Sequence, residues 1–84
     1  MTIPEMITAV EENNITDTLI DALVAFMWDY DPYGILDAYG HIDDDGVKEK
    51  VAEEVRFCLN NEQTDLLERL NDALECGTYK NEYM

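Results

Sequence analysis

The chain has 84 residues, of which 46% are hydrophobic and 30% charged, and its 20 acids against five Lys and Arg leave a net charge of −15 at neutral pH. This composition is typical of one small folded domain and excludes wholesale disorder. The negative charge disfavours direct binding to nucleic acid or to an anionic membrane, because both of those surfaces are negative themselves.

The N-terminal part of the sequence predicts two helices. Thr2 and Glu5 have the spacing of a capping box at the start of a first helix over residues 4–12. A second helix is expected over residues 16–29, where apolar side chains fall on two adjacent stripes. Such a broad apolar face indicates the central, most buried helix of the domain.

Residues 30–46 are predicted to form a loop. The Asp-Pro-Tyr-Gly sequence at 31–34 has the composition of a turn and should stop the second helix. Residues 35–39 are compatible with one short helical turn, and one of the aspartates in residues 41–46 should cap the helix that follows.

The C-terminal part predicts two further helices, over residues 47–59 and 62–76, because apolar residues recur there at a spacing of about 3.6. Gly77 is a typical helix-ending residue, and the tail over 78–84 is expected to be frayed. The predicted fold class is all-α: a compact bundle of about four helices with a C-terminal antiparallel helical hairpin, in a single acidic domain over residues 1–84.

The aromatic residues divide between two roles. Core packing accounts for Phe26, Phe57 and Trp28, which lie in the predicted helices, and Trp28 is in addition a candidate interface anchor among the many acids. The tyrosines in or beside the predicted loop, at positions 30, 33 and 39, suit core packing and a binding surface equally well, because tyrosine supplies rigid contact area at interfaces.

The sequence lacks the residue patterns of common catalytic sites. It contains no Ser and one His, so a Ser-His-Asp triad is impossible. Neither Cys58 nor Cys76 lies in a recognisable catalytic signature, and glycine-rich phosphate motifs are absent. We therefore expect a protein that is not an enzyme and that carries no cofactor.

The HIDDDG sequence at residues 41–46 offers hard ligands for a divalent metal. It does not fit an EF-hand, because Ala52 falls where that loop needs a bidentate glutamate. Two interpretations stay open: a divalent-metal site, or a solvated turn in which one aspartate caps the next helix.

The N-terminus shows no basic region followed by a long apolar run, as a signal peptide would. The longest mostly apolar segment, residues 19–28, contains Asp21 and is too short to span a bilayer. The expected location is the cytoplasm, which would be that of the host cell if a phage encodes the protein, with both thiols reduced.

The distribution of charge is the strongest functional signal. Residues 1–47 carry eleven acids and no Lys or Arg, which is a charge of −11, and residues 48–84 carry the remaining −4. An ordinary solvated surface mixes signs to relieve repulsion. A use for this charge, and hence a basic partner, is therefore favoured over a general adaptation such as that of haloarchaeal proteins.

In size and charge the chain resembles inhibitors that occupy nucleic-acid-binding surfaces, a class that includes anti-restriction and anti-CRISPR proteins of phages and other DNA mimics. This resemblance implies a stoichiometric inhibitor, acting as a monomer or homodimer, that binds a basic nucleic-acid-binding protein such as a defence complex or nuclease. Two alternatives are an immunity protein or antitoxin against one basic toxin, and a small helical adaptor that recognises a partner protein.

The candidate contact residues for a basic partner are the carboxylates and tyrosines of the predicted loop and the acidic face of the last helix. They are Asp29, Asp31, Tyr33, Asp37, Tyr39, Asp43, Asp44 and Asp45, followed by Glu62, Asp65, Glu68, Asp72 and Glu75.

Overall fold

A computed structural model describes residues 1–77, 82 and 83, and most of that part of the chain is α-helical. Helix α1 spans Ile3–Glu11, α2 spans Asp17–Tyr30, α3 spans Pro32–Tyr39, α4 spans Asp44–Asn61 and α5 spans Gln63–Cys76. No residue of the described ranges lies in a strand. The predicted all-α fold class is confirmed, with one helix more than the four main helices expected.

The first two helices begin at side-chain caps. Thr2 Oγ1 accepts a hydrogen bond from the Glu5 N–H at 3.2 Å, and Glu5 Oε1 accepts one from the Thr2 N–H at 2.9 Å, which confirms the predicted capping box. The hydrogen bond that the Thr2 N–H donates to its carboxylate is the main cause that lowers the pKa of Glu5, because it favours the charged form. At the start of α2, Thr16 Oγ1 accepts from the Leu19 N–H at 3.1 Å.

Helix α1 ends at a left-handed asparagine. Asn13 has φ 55°, and its N–H donates to the Val10 carbonyl at 3.1 Å. The Asn14 N–H donates to the Ala9 carbonyl at 2.9 Å, which completes a Schellman motif. Asparagine tolerates this backbone conformation better than most residues, so the chain leaves α1 here at little cost.

The prediction of a loop over residues 30–46 is wrong, because this range contains α3 and the first three residues of α4. The short helical turn expected over 35–39 is confirmed as part of α3. Asp31 Oδ1 accepts from the Gly34 N–H at 3.1 Å and caps α3, whose first residue is Pro32. Aspartate followed by proline is typical both of a turn and of a helix start. Burial of Ile35, which is 5% exposed, favours the helix by packing α3 against the bundle.

The predicted aspartate cap before the next helix is confirmed, and it lies at Asp43. Its Oδ1 accepts from the Gly46 N–H at 2.7 Å, so α4 begins at Asp44 instead of at residue 47. Glycine at position 46 leaves room for this cap, because a Cβ there would lie 2.9 Å from Asp43 Oδ1, which is too close. The same Asp-x-x-Gly spacing therefore starts both α3 and α4.

Every buried residue in the described part of the chain is hydrophobic. Helix α2 contributes the largest share, namely Leu19, Ile20, Ala22, Leu23, Val24, Phe26 and Met27. Helix α4 contributes Val47, Val51, Val55, Cys58 and Leu59. The prediction that Phe57 packs in the core is wrong, because its side chain is 54% exposed. It lies about 100° around the helix from Cys58 and so points away from the buried row.

The helices pack in a connected bundle. Helix α1 packs on α5 and α2, α2 packs on α4 and α3, and α4 packs on both α3 and α5. Glu62 alone separates α4 from α5 and gives them the short connection expected of a helical hairpin. Gln63 Nε2 donates to the Leu59 carbonyl at 2.8 Å and to Asn13 Oδ1 at 3.2 Å, so this junction is also tied to the end of α1.

The C-terminal Tyr83 is part of the core. Its side chain is 2% exposed, and its ring packs edge-on against Phe26 with centroids 5.7 Å apart. The Tyr83 N–H donates to the Met1 carbonyl at 2.6 Å, and the Met1 amino group donates to the Tyr83 carbonyl at 2.7 Å. The prediction of a frayed tail over 78–84 is therefore wrong at Tyr83, while residues 78–81 and 84 lie outside the described residues.

We expect Tyr83→Ala to lower the free energy of unfolding by about 3–5 kcal/mol, because it empties the space that a buried aromatic ring fills. Tyr33→Ala is the matched control, since Tyr33 is 84% exposed and its loss should change stability by less than about 0.5 kcal/mol. Urea unfolding followed by far-UV circular dichroism measures both. Equal effects of the two substitutions would contradict a structural role for the C-terminal tyrosine.

Candidate functional site

The candidate contact residues lie mostly on the surface. Eleven of the thirteen side chains are exposed, and Asp29 and Tyr39 are half-buried. The ion pair described in the structure joins Lys50 Nζ to Glu53 Oε2 at 3.6 Å, and both side chains are more than half exposed. Such a surface pair contributes little to stability, and it involves none of the candidate carboxylates.

Three acids of α5 meet the end of α2 at one open depression. Asp65, Glu68 and Asp72 line it together with Tyr30 and Arg69, and its volume is about 470 Å³. The Tyr30 hydroxyl donates to Asp72 Oδ2 at 3.3 Å, which connects the two helices. We call this surface the α5 depression. The α5 depression brings three of the five candidate acids of the last helix next to Tyr30 of α2. The other two candidate acids, Glu62 and Glu75, do not line it.

Arg69 interrupts the negative surface of the α5 depression. Its side chain is half-buried, and its Nη1 lies 3.7 Å from Met27 Sδ, at the edge of the core. The contact with Met27 therefore fixes where this positive charge lies. Because Arg69 adds one positive charge, the α5 depression is less negative than its three carboxylates alone would make it.

Helix α3 exposes an apolar pair within the acidic region. Tyr33 is 84% exposed and Leu36 is 54% exposed, and a spacing of three residues places them on one face of the helix. Tyr39 instead packs against the core, as does Tyr30, whose ring centroid is 5.5 Å from that of Phe26. Of the three tyrosines considered from the sequence, Tyr33 is therefore the most exposed to a partner.

The aspartates before and within α4 separate into different environments. Asp43 uses one oxygen to cap the helix. Asp44 lines a second open depression, of about 320 Å³, whose other lining residues are Asp21, Val24, Ala25, Trp28 and Lys48. We call it the Trp28 depression. It lies on a different face of α2 from Met27 and Tyr30, which point toward α5.

Sequence reasoning did not include Asp21 or Lys48 among the candidate contacts, and it considered Trp28 both for the core and as an interface anchor. The spacing of Asp21, Ala25 and Trp28 along α2 is a detectable signal, because such residues share one helix face. The contribution of Asp44 and Lys48 depends on how α4 packs against α2, which no local pattern specifies.

The structure gives no support to a metal centre at HIDDDG. Among residues 1–77, 82 and 83, no group of three or more His, Cys, Asp or Glu side chains is placed to hold a metal ion. His41 and the three aspartates are exposed, and one of the aspartates is the helix cap. Within the same ranges, no helix combines the length and the apolar character needed to cross a membrane.

The two cysteines occupy contrasting environments. Cys58 of α4 is buried in the core, and this burial raises the pKa of its thiol, although the nearby charge of Arg69 acts in the opposite direction. Cys76 is exposed at the end of α5. The predicted role of Cys58 as a small core residue is confirmed by its position.

No protein-family model, curated protein or solved structure matches this chain.

We expect thermal stability to rise with salt. The excess carboxylates, which leave a net charge of −15, repel one another in the folded state, and salt screens that repulsion. The melting temperature from circular dichroism should increase by several degrees between ~20 mM and ~0.5 M NaCl. KCl should act equally, since screening depends on ionic strength. A flat or falling melting temperature would mean that the carboxylates are already compensated within the fold.

We expect iodoacetamide to modify Cys76 faster than Cys58 at pH 8 in the folded protein. The thiolate is the reactive form. At Cys58 the raised pKa lowers the fraction of thiolate, and burial restricts access of the reagent to it. Mass spectrometry of Cys58→Ala and Cys76→Ser variants separates the two rates. In urea the two rates should converge, and a Cys58 that reacts as fast as Cys76 in the folded protein would contradict its burial in the core.

Proposed function

We propose that this protein is a non-enzymatic, stoichiometric inhibitor that binds the basic nucleic-acid-binding surface of a target protein, as a DNA mimic. An anti-CRISPR or anti-restriction protein of a phage or mobile element would act in this way. The observation that carries the proposal is the exposure of so many carboxylates in a chain whose first 47 residues contain no Lys or Arg.

The spacing of charge on α5 supports this proposal. Five carboxylates between Glu62 and Glu75 extend over about 20 Å at a rise of 1.5 Å per residue, or one per 4–5 Å. A DNA strand presents one phosphate per about 3.4 Å of helix axis. A groove lined with Lys and Arg to receive DNA is therefore suited in spacing, as well as in sign, to receive this helix.

The physics of association also favours such a target. Long-range attraction between a protein of charge −15 and a basic groove raises the association rate, often by one to three powers of ten. Exposed Tyr33 supplies rigid contact area within the acidic region and can stack on arginine. Charge would thus guide the encounter, and a small apolar contact would add affinity at short range.

The exposed pair Tyr33 and Leu36 is also the observation that favours a second candidate, a helical adaptor that binds its partner mainly through apolar contact. The two functions differ in their response to salt. Binding by a DNA mimic weakens as salt screens the charges, whereas apolar docking persists. An immunity protein or antitoxin would resemble the mimic in salt response but would act on one cognate toxin.

We expect the tagged protein to capture a nucleic-acid-binding protein from host lysate, to release it at moderate salt and to lose it to competing duplex DNA. The triple variant D65N/E68Q/D72N removes three carboxylates from the α5 depression. We expect its affinity for the captured protein to be about tenfold lower than that of the control variant. The matched control is E11Q/E12Q/E49Q, which removes three exposed carboxylates elsewhere. Affinity is measured by titrating the captured protein against each variant.

A partner that stays bound in high salt and ignores DNA would overturn the mimic and favour the adaptor. Equal losses in the two triple variants would instead mean that recognition depends on total charge and not on the α5 depression. Circular dichroism of all variants checks that the helical fold is retained.

A further inference from the structure

The lining of the Trp28 depression combines apolar side chains with two carboxylates. Val24, Ala25 and Trp28 of α2 provide a mostly apolar lining, and Trp28 is half-buried, so part of the indole faces the depression. Asp21 on α2 and Asp44 on α4 lie at the same depression and are both exposed. The two helices pack on each other, so the site spans a stable contact between them.

We infer that the Trp28 depression binds an arginine side chain of the basic partner, with the guanidinium against the Trp28 ring and facing Asp21 and Asp44. This inference rests on the proposed function, because it names how that partner is held at one point. It adds a site outside the candidate residues of α5 and places Trp28, Asp21 and Asp44 in a common role.

Charge complementarity selects the occupant. The surrounding carboxylates disfavour an anion, and a neutral aliphatic group would leave both carboxylates unused. Arginine has an apolar stem for the lining of Val24 and Ala25, and its planar group stacks on aromatic faces, best on tryptophan. It also pairs with carboxylates through several N–H donors at once, which the compact ammonium of lysine cannot do in the same geometry.

Lys48 provides a way to distinguish arginine binding at this depression from a general attraction to the negative surface. It lines the depression and follows Asp44 by four residues on α4, so the two side chains are neighbours on the helix. The Lys48 ammonium would therefore repel an incoming arginine. Removal of Lys48 should therefore strengthen binding, an effect that damage to the fold would not produce.

The test uses the single tryptophan of the chain as a local probe. A hexa-arginine and a hexa-lysine peptide are titrated at low salt, with Trp28 emission and calorimetry recorded in parallel. We expect hexa-arginine to change the emission saturably and to bind several-fold more tightly than hexa-lysine. The variant D21N/D44N should weaken hexa-arginine binding by about tenfold, and the charge-matched control E11Q/E12Q by less than about threefold.

Lys48→Gln should tighten hexa-arginine binding by a few-fold, and Arg56→Gln, which removes the same charge at an exposed position of α4 outside the depression, should do so by less. Binding by calorimetry with unchanged Trp28 emission, equal affinity for the two peptides, or equal losses in D21N/D44N and E11Q/E12Q would each overturn the arginine site. Those outcomes leave the proposed function standing, because a basic ligand still binds. If neither peptide binds at low salt, the basic-partner proposal fails as well.

Discussion

Burial of α2 is the interaction on which the other features depend. Seven of its fourteen residues are buried, and they distribute over most of the circumference of the helix. Helices α1, α3 and α4 pack directly on it, while α5 reaches it through the Arg69–Met27 and Tyr30–Asp72 contacts. Apolar burial of this kind must offset both chain entropy and the repulsion of fifteen net negative charges.

The same helix organises the charged surface. Because buried positions in the described chain are all hydrophobic, its carboxylates are carried outside the core. Tyr30 and Met27 bring one face of α2 to the acids of α5, and Trp28 brings another face to Asp21 and Asp44. Two separate depressions therefore share one rigid support, so a partner that engages both would meet side chains held in a fixed relation.

Residue spacing and cap motifs predicted much of the helical pattern. They did not decide between a helix and a turn where the same residue types are typical of both. The capping box at Thr2 and the buried row of α4 follow from spacing alone, since side-chain period and cap geometry are local properties. Asp31 and Pro32 suit a turn as well as a helix start, and burial of Ile35 decided the outcome. Tyr83 is a similar case, because its burial depends on Phe26 and Met1, which are distant in sequence.

The sequence by itself determined the all-α class, the sign and excess of the surface charge, and the lack of a Ser-His-Asp triad. These follow from residue content and from periods within one helix. The tertiary structure alone decided which carboxylates share a surface, that Tyr33 is exposed while Tyr39 packs inward, and that Asp44 joins Asp21 beside Trp28. The reason is physical: a depression between two helices depends on their packing, which is a sum of many weak contacts between residues far apart in the chain.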